Sequence, residues 1–244
     1  MTIVGLPGVP EVSAGDDLGE LLSDAADRVG GVEEGDVVVV AQKVVSKAEG
    51  RVVRLADVEP SPLARRIAGD DDARKAEIVL REAERVVRTR PPLVIAATRH
   101  GFVCASAGVD ASNAPERDSL VLLPLDPDAS AARLRARLRA LTGRTVAVVV
   151  SDSFGRAWRQ GTTDVAIGVA GVAPLLDLRG ERDANGYELH ATSIAVADEI
   201  AGAAELVMGK LKRTPAAIVR GLELAAGEGA ARDLVIPAER DLFR

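Results

Sequence analysis

Several stretches of the chain are apolar without polar alternation: residues 36–41 (DVVVVA), 93–98 (LVIAAT), 120–126 (LVLLPLD) and 145–153 (TVAVVVSDS). Short runs of this kind, rich in β-branched residues, predict strands covered on both faces. Residues 3–12 (IVGLPGVPEV) read as a short strand entering a Gly/Pro loop, 101–108 as the hairpin partner of 93–98, and 216–224 as a closing strand. Other stretches carry the helical period. In residues 15–30, Leu18, Leu21, Leu22, Ala25 and Val29 share one face, and Asp16 or Asp17 stands where an N-cap belongs. The charged segment 59–90, begun by Pro60 and Pro62, the Arg-rich segment 129–141 and residues 193–210 are also predicted helices. Strands and helices alternate without a strict βαβ rhythm. The expected class is therefore α+β, with mixed sheets and flanking helices in one domain spanning 1–244.

Composition narrows the functional classes. Aromatic residues make up 2% of the 244-residue chain, so the core rests on Val, Leu, Ile and Ala. A formal net charge of -6 supplies no global basic field for nucleic acid. An anionic substrate then needs local neutralisation by metal ions or a few Lys and Arg. Cys104 is the single cysteine, which excludes an intrachain disulfide and fits a reducing compartment. The segment Met1 to Pro10 lacks the basic and apolar regions of a signal peptide, and no apolar run reaches the ~18 residues of a membrane span. A cytoplasmic protein is expected.

Candidate chemistry lies at the ends of the predicted strands. Asp152, flanked by Ser151 and Ser153, offers the hard oxygen donors that Mg²⁺ and Mn²⁺ prefer; capping of the following segment is the alternative. In GVDASN (108–113), Asp110 supplies a carboxylate and Asn113 an amide, against a plain Asx-turn. Two acidic loops of this kind can hold paired cations for phosphoryl transfer. The polar segment 153–164 carries Arg156, Arg159 and Gln160 around Trp158, either as anion-binding forks beside Asp152 or as an exposed basic loop. QKVVSKAEG (42–50) presents Lys43, Ser46 and Lys47, either to a polyphosphate or as a solvated turn. His100 and His190 are too isolated for a zinc site, and Cys104 reads as a small buried hydrophobe. Met208-Gly209-Lys210 ends a helix, with Lys210, Lys212 and Arg213 available to an anion.

The blocks GLPGVPEV, VVVVAQKVVSKAEGRV, RHGFVCASAGVDASN, VVVSDSFGRAWRQGTTDVAIGVAG, DANGYEL, AVADEIAGAAELVMGK and AAIVRG occur in one order along nearly the whole chain. In that order they resemble the coenzyme F420-0:L-glutamate ligases. The resemblance implies an intertwined homodimer that binds GTP and two divalent cations, Mg²⁺ or Mn²⁺, helped by K⁺. It implies ligation of L-glutamate to F420-0, or to its dehydro form, through an acyl phosphate, and extension of a γ-linked tail. It places metal ligands on Asp110, Asp152 and Ser153, and a catalytic charge on Lys47. It places nucleotide contacts on Val9, Pro10, Glu11, Val12, Gln42, Lys47, Asn113, Met208, Gly209 and Lys210. Gln42 stands where relatives carry Ser or Thr, and Lys210 where archaeal members carry an acidic residue. Some members continue past the equivalent of Asp241-Leu242-Phe243 into a flavin-binding, nitroreductase-like domain. A metal-dependent phosphatase and a non-catalytic nucleotide-binding module are the competing classes.

Overall fold

The structure, a computed structural model, describes residues 1–224 and 227–242; Phe243 lies outside them. The chain opens with β1 (Thr2–Gly5), α1 (Leu18–Asp27), β2 (Val37–Ala41), α2 (Gln42–Ala48) and β3 (Val52–Arg54). A helical pair follows, α3 (Pro62–Ala68) and α4 (Ala73–Glu82), then β4 (Ala83–Arg90), β5 (Leu93–Thr98), β6 (Val103–Ala105) and β7 (Ser119–Val121). The remainder is α5 (Pro127–Thr142), β8 (Ala147–Arg156), β9 (Arg159–Ala170), β10 (Leu176–Asp177), β11 (Ser193–Ile194), α6 (Val196–Met208) and β12 (Ala216–Arg220).

The central sheet has the order β1-β12-β2-β8-β9, antiparallel throughout except for the parallel pair β2–β8. Both faces of its middle strands are covered, which is why β2 and β8 are uninterrupted apolar runs. Val38, Val40, Val148 and Val150 face a layer containing residues of α1, α2 and α5. Val37, Val39, Ala147 and Val149 face α6 and the short turn Ala231–Leu234. Contact with α5 is close: a Cβ on Gly168 of β9 would come 2.3 Å from the Pro127 carbonyl oxygen. A smaller unit packs α3 and α4 against the β4-β5-β6 sheet, and β3 pairs with β7 beside it. The mixed α+β class is as expected. No helix among the described residues is long and apolar enough to cross a membrane.

The start of α1 follows its sequence signal, with the Asp17 carboxylate accepting the Glu20 N–H. Several local expectations are corrected. Residues 83–90 form a strand, not the end of a helix. Val86, Val87 and Thr89 suit extended backbone, and pairing with β5 satisfies the main chain while the charged side chains point to solvent. The segment 42–50 is not a solvated turn: α2 begins directly at the end of β2, and Gln42, Ser46 and Lys47 are buried. The segment 153–164 is not a loop, because β8 and β9 continue together as a long hairpin. The strands expected at 120–126 and 216–224 stop at Val121 and Arg220.

The buried floor of the sheet contains one large ionic group. Arg220 forks onto Asp36, with Nε to Oδ1 at 2.9 Å and Nη2 to Oδ2 at 2.7 Å. Its guanidinium also bonds Glu33 and the Gly31 carbonyl, so β12 is tied to the turn that starts β2. Asp36 is 1% exposed, which makes it dependent on this partner.

Candidate active site

The parallel pairing of β2 and β8 ends at Ala41 and Ser151. Just beyond it the chain places α2 on one side and Asp152 on the other. Asp152 lies inside β8 with no helix following, so the capping alternative falls. Alternation along β8 puts Asp152 on the face of Val148 and Val150, opposite Ser151 and Ser153.

Asp110 reaches the same region from an isolated bridge to Val121 of β7. Its carboxylate accepts the Ser112 N–H at 2.7 Å and the Ser112 hydroxyl at 2.9 Å, so the Asx-turn and the functional reading coexist. Lys43 of α2 places Nζ 2.7 Å from Asp110 Oδ2, and Lys210 places a second ammonium 4.0 Å from the same oxygen. Burial works to raise Asp110, but the bonds from Lys43 and Ser112 outweigh it and hold the group below the usual carboxylate range. Asp152 moves the other way. Burial pushes it up to about 7, aided by the charges of Asp164 and Asp110 and opposed by Lys43 and the Ser153 N–H. The two carboxylates thus share one ammonium, and burial dominates at Asp152.

The donor chemistry here is of the kind that could hold a divalent cation. Asp110 and Asp152 are hard oxygen donors, and Lys43 neutralises Asp110 by direct contact and acts on Asp152 through its charge. Among the described residues, no group of three or more His, Cys, Asp or Glu side chains forms a ready-made metal cage. Any further ligands must come from hydroxyls, water or substrate oxygens. The ammonium pair Lys43 and Lys210 gives the same place a charge suited to phosphate or carboxylate.

The other expected positions divide into groups. Lys47 is 5% exposed and reaches Glu11, tying α2 to the N-terminal loop. Lys43, one turn earlier, is the lysine bonded to the Asp110 carboxylate, a contact that sequence reading did not assign. Gln42 donates nothing from Nε2 although that atom is buried; its Oε1 accepts the Ser46 hydroxyl at 2.8 Å. An unmade donor in such a place suits a ligand acceptor. Pro10 and Asn113 are exposed, Asn113 in the left-handed region at φ 56. Val9 packs on the core layer, and Val12 and Met208 are buried in the core, so Val12 and Met208 can offer a ligand only their backbone. Gly209, at φ 57, ends α6, and Lys212 turns back onto the Leu206 and Val207 carbonyls instead of facing outward.

Arg156, Trp158, Arg159 and Gln160 are not beside Asp152. They form the exposed tip of the β8–β9 hairpin, and four strand residues carry Arg156 about 13 Å beyond Asp152. Cys104 is buried; burial and then the Asp152 charge push its thiol up to about 12, which removes it as a nucleophile. His100 Nε2 donates to the Leu125 carbonyl, 3.1 Å away, and burial lowers its pKa.

Sequence reading missed Asp164. This buried side chain of β9 accepts the Ser151 hydroxyl at 2.8 Å and the Ser153 hydroxyl at 2.6 Å. The β8–β9 register shifts at Ile167, the extra residue between Val150↔Gly168 and Ser151↔Ala166. A shift of one residue exchanges the faces of everything beyond it, and without it Asp164 would share the face of Asp152. No local sequence signal marks such a bulge.

Comparison with known proteins gives the family. The family pattern F420-0:Gamma-glutamyl ligase matches residues 8–221. The coenzyme F420:L-glutamate ligase of Methanopyrus kandleri is 47% identical over 100% of this chain and 98% of its own length. The protein of that name from Archaeoglobus fulgidus is 45% identical over 97% of this chain and 94% of its own length. The one from Methanothermobacter thermautotrophicus is 42% identical over 100% and 99%. A match of this extent, spanning Asp110, Asp152 and the α2 lysines, means that the chain belongs to the F420-0:gamma-glutamyl ligase family.

Proposed function

We propose that the chain is a GTP- and divalent-cation-dependent ligase that joins L-glutamate to the terminal carboxylate of coenzyme F420-0 or its dehydro form and then extends a γ-linked glutamate tail. The observation that carries this reading is the Asp110–Asp152 pair gathered around Lys43 and Lys210, in a chain 47% identical to a coenzyme F420:L-glutamate ligase.

A carboxylate and an amine do not condense unaided in water. In the proposed reaction an oxygen of the acceptor carboxylate attacks the γ-phosphorus of GTP, the bond to the β-γ bridging oxygen breaks, and GDP leaves. The glutamate amine then attacks the acyl carbon of the resulting acyl phosphate. The C–N bond forms, the C–O bond to phosphorus breaks, and the amine gives up a proton as phosphate departs. Two cations, Mg²⁺ or Mn²⁺, held by Asp110, Asp152 and Ser153 would supply charge neutralisation for the phosphate and carboxylate. Lys43 and Lys210 supply positive charge from the chain itself, at the position where two anions must approach each other. The N-terminal loop, held to α2 by the Lys47–Glu11 pair, and the unmade donor of Gln42 suit a nucleotide.

An intertwined homodimer, a K⁺ requirement and a cytoplasmic location belong to the same proposal. The exposed apolar residues Val86, Val87, Leu93 and Val103 on the β4-β5-β6 sheet suit coverage by a second copy.

The test is mass spectrometry of purified protein with F420-0, L-glutamate, GTP and Mn²⁺. Products heavier by whole glutamyl increments, with one GDP per increment, are expected. GDP release without glutamyl product would replace the ligase with a phosphatase. Binding of GTP without turnover would leave a nucleotide-binding module.

A further inference from the structure

Asp164 has no part in the chemistry proposed above, yet its surroundings are specific. It is 5% exposed, and its carboxylate oxygens are divided between two hydroxyls two residues apart on the neighbouring strand: Ser151 to Oδ2, Ser153 to Oδ1. A serine hydroxyl carries one proton and two lone pairs, whereas a carboxylate only accepts. Once its proton is committed to Asp164, Ser153 has only lone pairs left to present. Ser151 is buried and serves as an anchor, whereas Ser153 is part-exposed.

The neighbouring structure is arranged to keep Asp164 there. The bulge at Ile167 turns Asp164 onto the serine face of β8. The Ala166 N–H next to that bulge is accepted by Asp198 of α6 at 2.8 Å. Helix α6 packs against this stretch at Gly202, where a Cβ would stand in ordinary van der Waals contact with Thr163 Oγ1 at 3.5 Å and the Asp164 carbonyl at 3.7 Å. Helix α6, the bulge and the carboxylate therefore act on one hydroxyl.

We propose that Asp164 is a positioning residue that fixes the Ser153 hydroxyl with its proton turned inward and its lone pairs outward, so that Ser153 serves as a neutral oxygen ligand for a divalent cation. The inference rests on the proposed role of Ser153 at the second cation. An asparagine at position 164 has the same shape but only one accepting oxygen. The fully buried Ser151 proton takes that oxygen, and the amide N–H₂ then donates to Ser153, consuming a lone pair and turning its proton outward. Partners that orient a metal ligand in this way change metal affinity by about 10–100-fold when altered.

The experiment is Mn²⁺ titration of the metal-free protein followed by electron paramagnetic resonance, with GTP present and without it. The variants are Asp164→Asn, Ser153→Ala and the double variant, each checked for a native thermal transition. The expected result is one Mn²⁺ site weakened at least tenfold in Asp164→Asn, with less than a twofold further change when that substitution is added to Ser153→Ala. If Asp164→Asn binds as tightly as the native protein while Ser153→Ala loses a site, the inference is overturned and the ligase reading stands. If Ser153→Ala keeps native affinity for both ions, the assignment of Ser153 fails, and the inference fails with it. Should Asp164→Asn not fold, Ser151→Ala removes the anchor alone; at least a threefold weakening is expected, and unchanged affinity overturns the inference.

Discussion

Asp152 is held in the folded chain under conditions that oppose its own charge, and this has a measurable consequence in the absence of metal. Burial raises its pKa from 3.8 to about 7, with Asp164 and Asp110 adding to the effect and Lys43 opposing it. A rise of about 3 pH units at 1.36 kcal/mol each makes the ionised form about 4 kcal/mol unfavourable, and residual solvent contact trims this to about 2–4 kcal/mol. The sign follows from proton counting. Between pH 4 and 7 the folded chain holds the proton and the unfolded chain does not, so stability from this group is present below about pH 4 and declines as pH rises through about 7. Asp152→Asn removes the titration. In EDTA, urea unfolding of this variant should show a stability gain over the native protein of about 1 kcal/mol at pH 4.5 that widens by about 2–3 kcal/mol at pH 8. Mn²⁺ should stabilise the native protein at pH 8 and leave Asp152→Asn unmoved. A gap that stays flat with pH, or narrows, would refute the assignment of a desolvated carboxyl to Asp152.

Other consequences concern the fold. Arg220→Ala leaves Asp36 buried without its fork and should cost about 3–5 kcal/mol in urea unfolding; a loss below about 1 kcal/mol would contradict the burial argument. Cys104, with its thiol pushed up to about 12, should react with a disulfide reagent at pH 8 roughly a thousandfold more slowly in the native protein than in urea. Comparable rates would show that the thiol is not buried as described.

The legible parts of the molecule were those where one local rule dominates. The valine runs of β2 and β8 announce strands covered on both faces, and Leu18, Leu22 and Ala25 announce the buried face of α1. Asp110 and Asp152 were legible as candidates because acidic side chains at strand ends stand out in an apolar context. What could not be read depends on partners distant in sequence. Residues 83–90 look helical because Arg and Glu dominate them, and only pairing with β5 makes them a strand. Lys43 and Lys47 are one helical turn apart, and the contact of Lys43 with Asp110 depends on α2 starting without a loop at Gln42. Asp164 depends on a single extra residue in β9 that changes which face it occupies.

The central claim is that this site activates an acceptor carboxylate by phosphoryl transfer before glutamate attacks. The direct test uses F420-0 labelled with ¹⁸O in its terminal carboxylate, with GTP, L-glutamate and Mn²⁺, and reads the phosphate released by mass spectrometry. The account predicts one ¹⁸O in phosphate for every amide bond formed to the labelled carboxylate. Glutamyl product accompanied by unlabelled phosphate would contradict it.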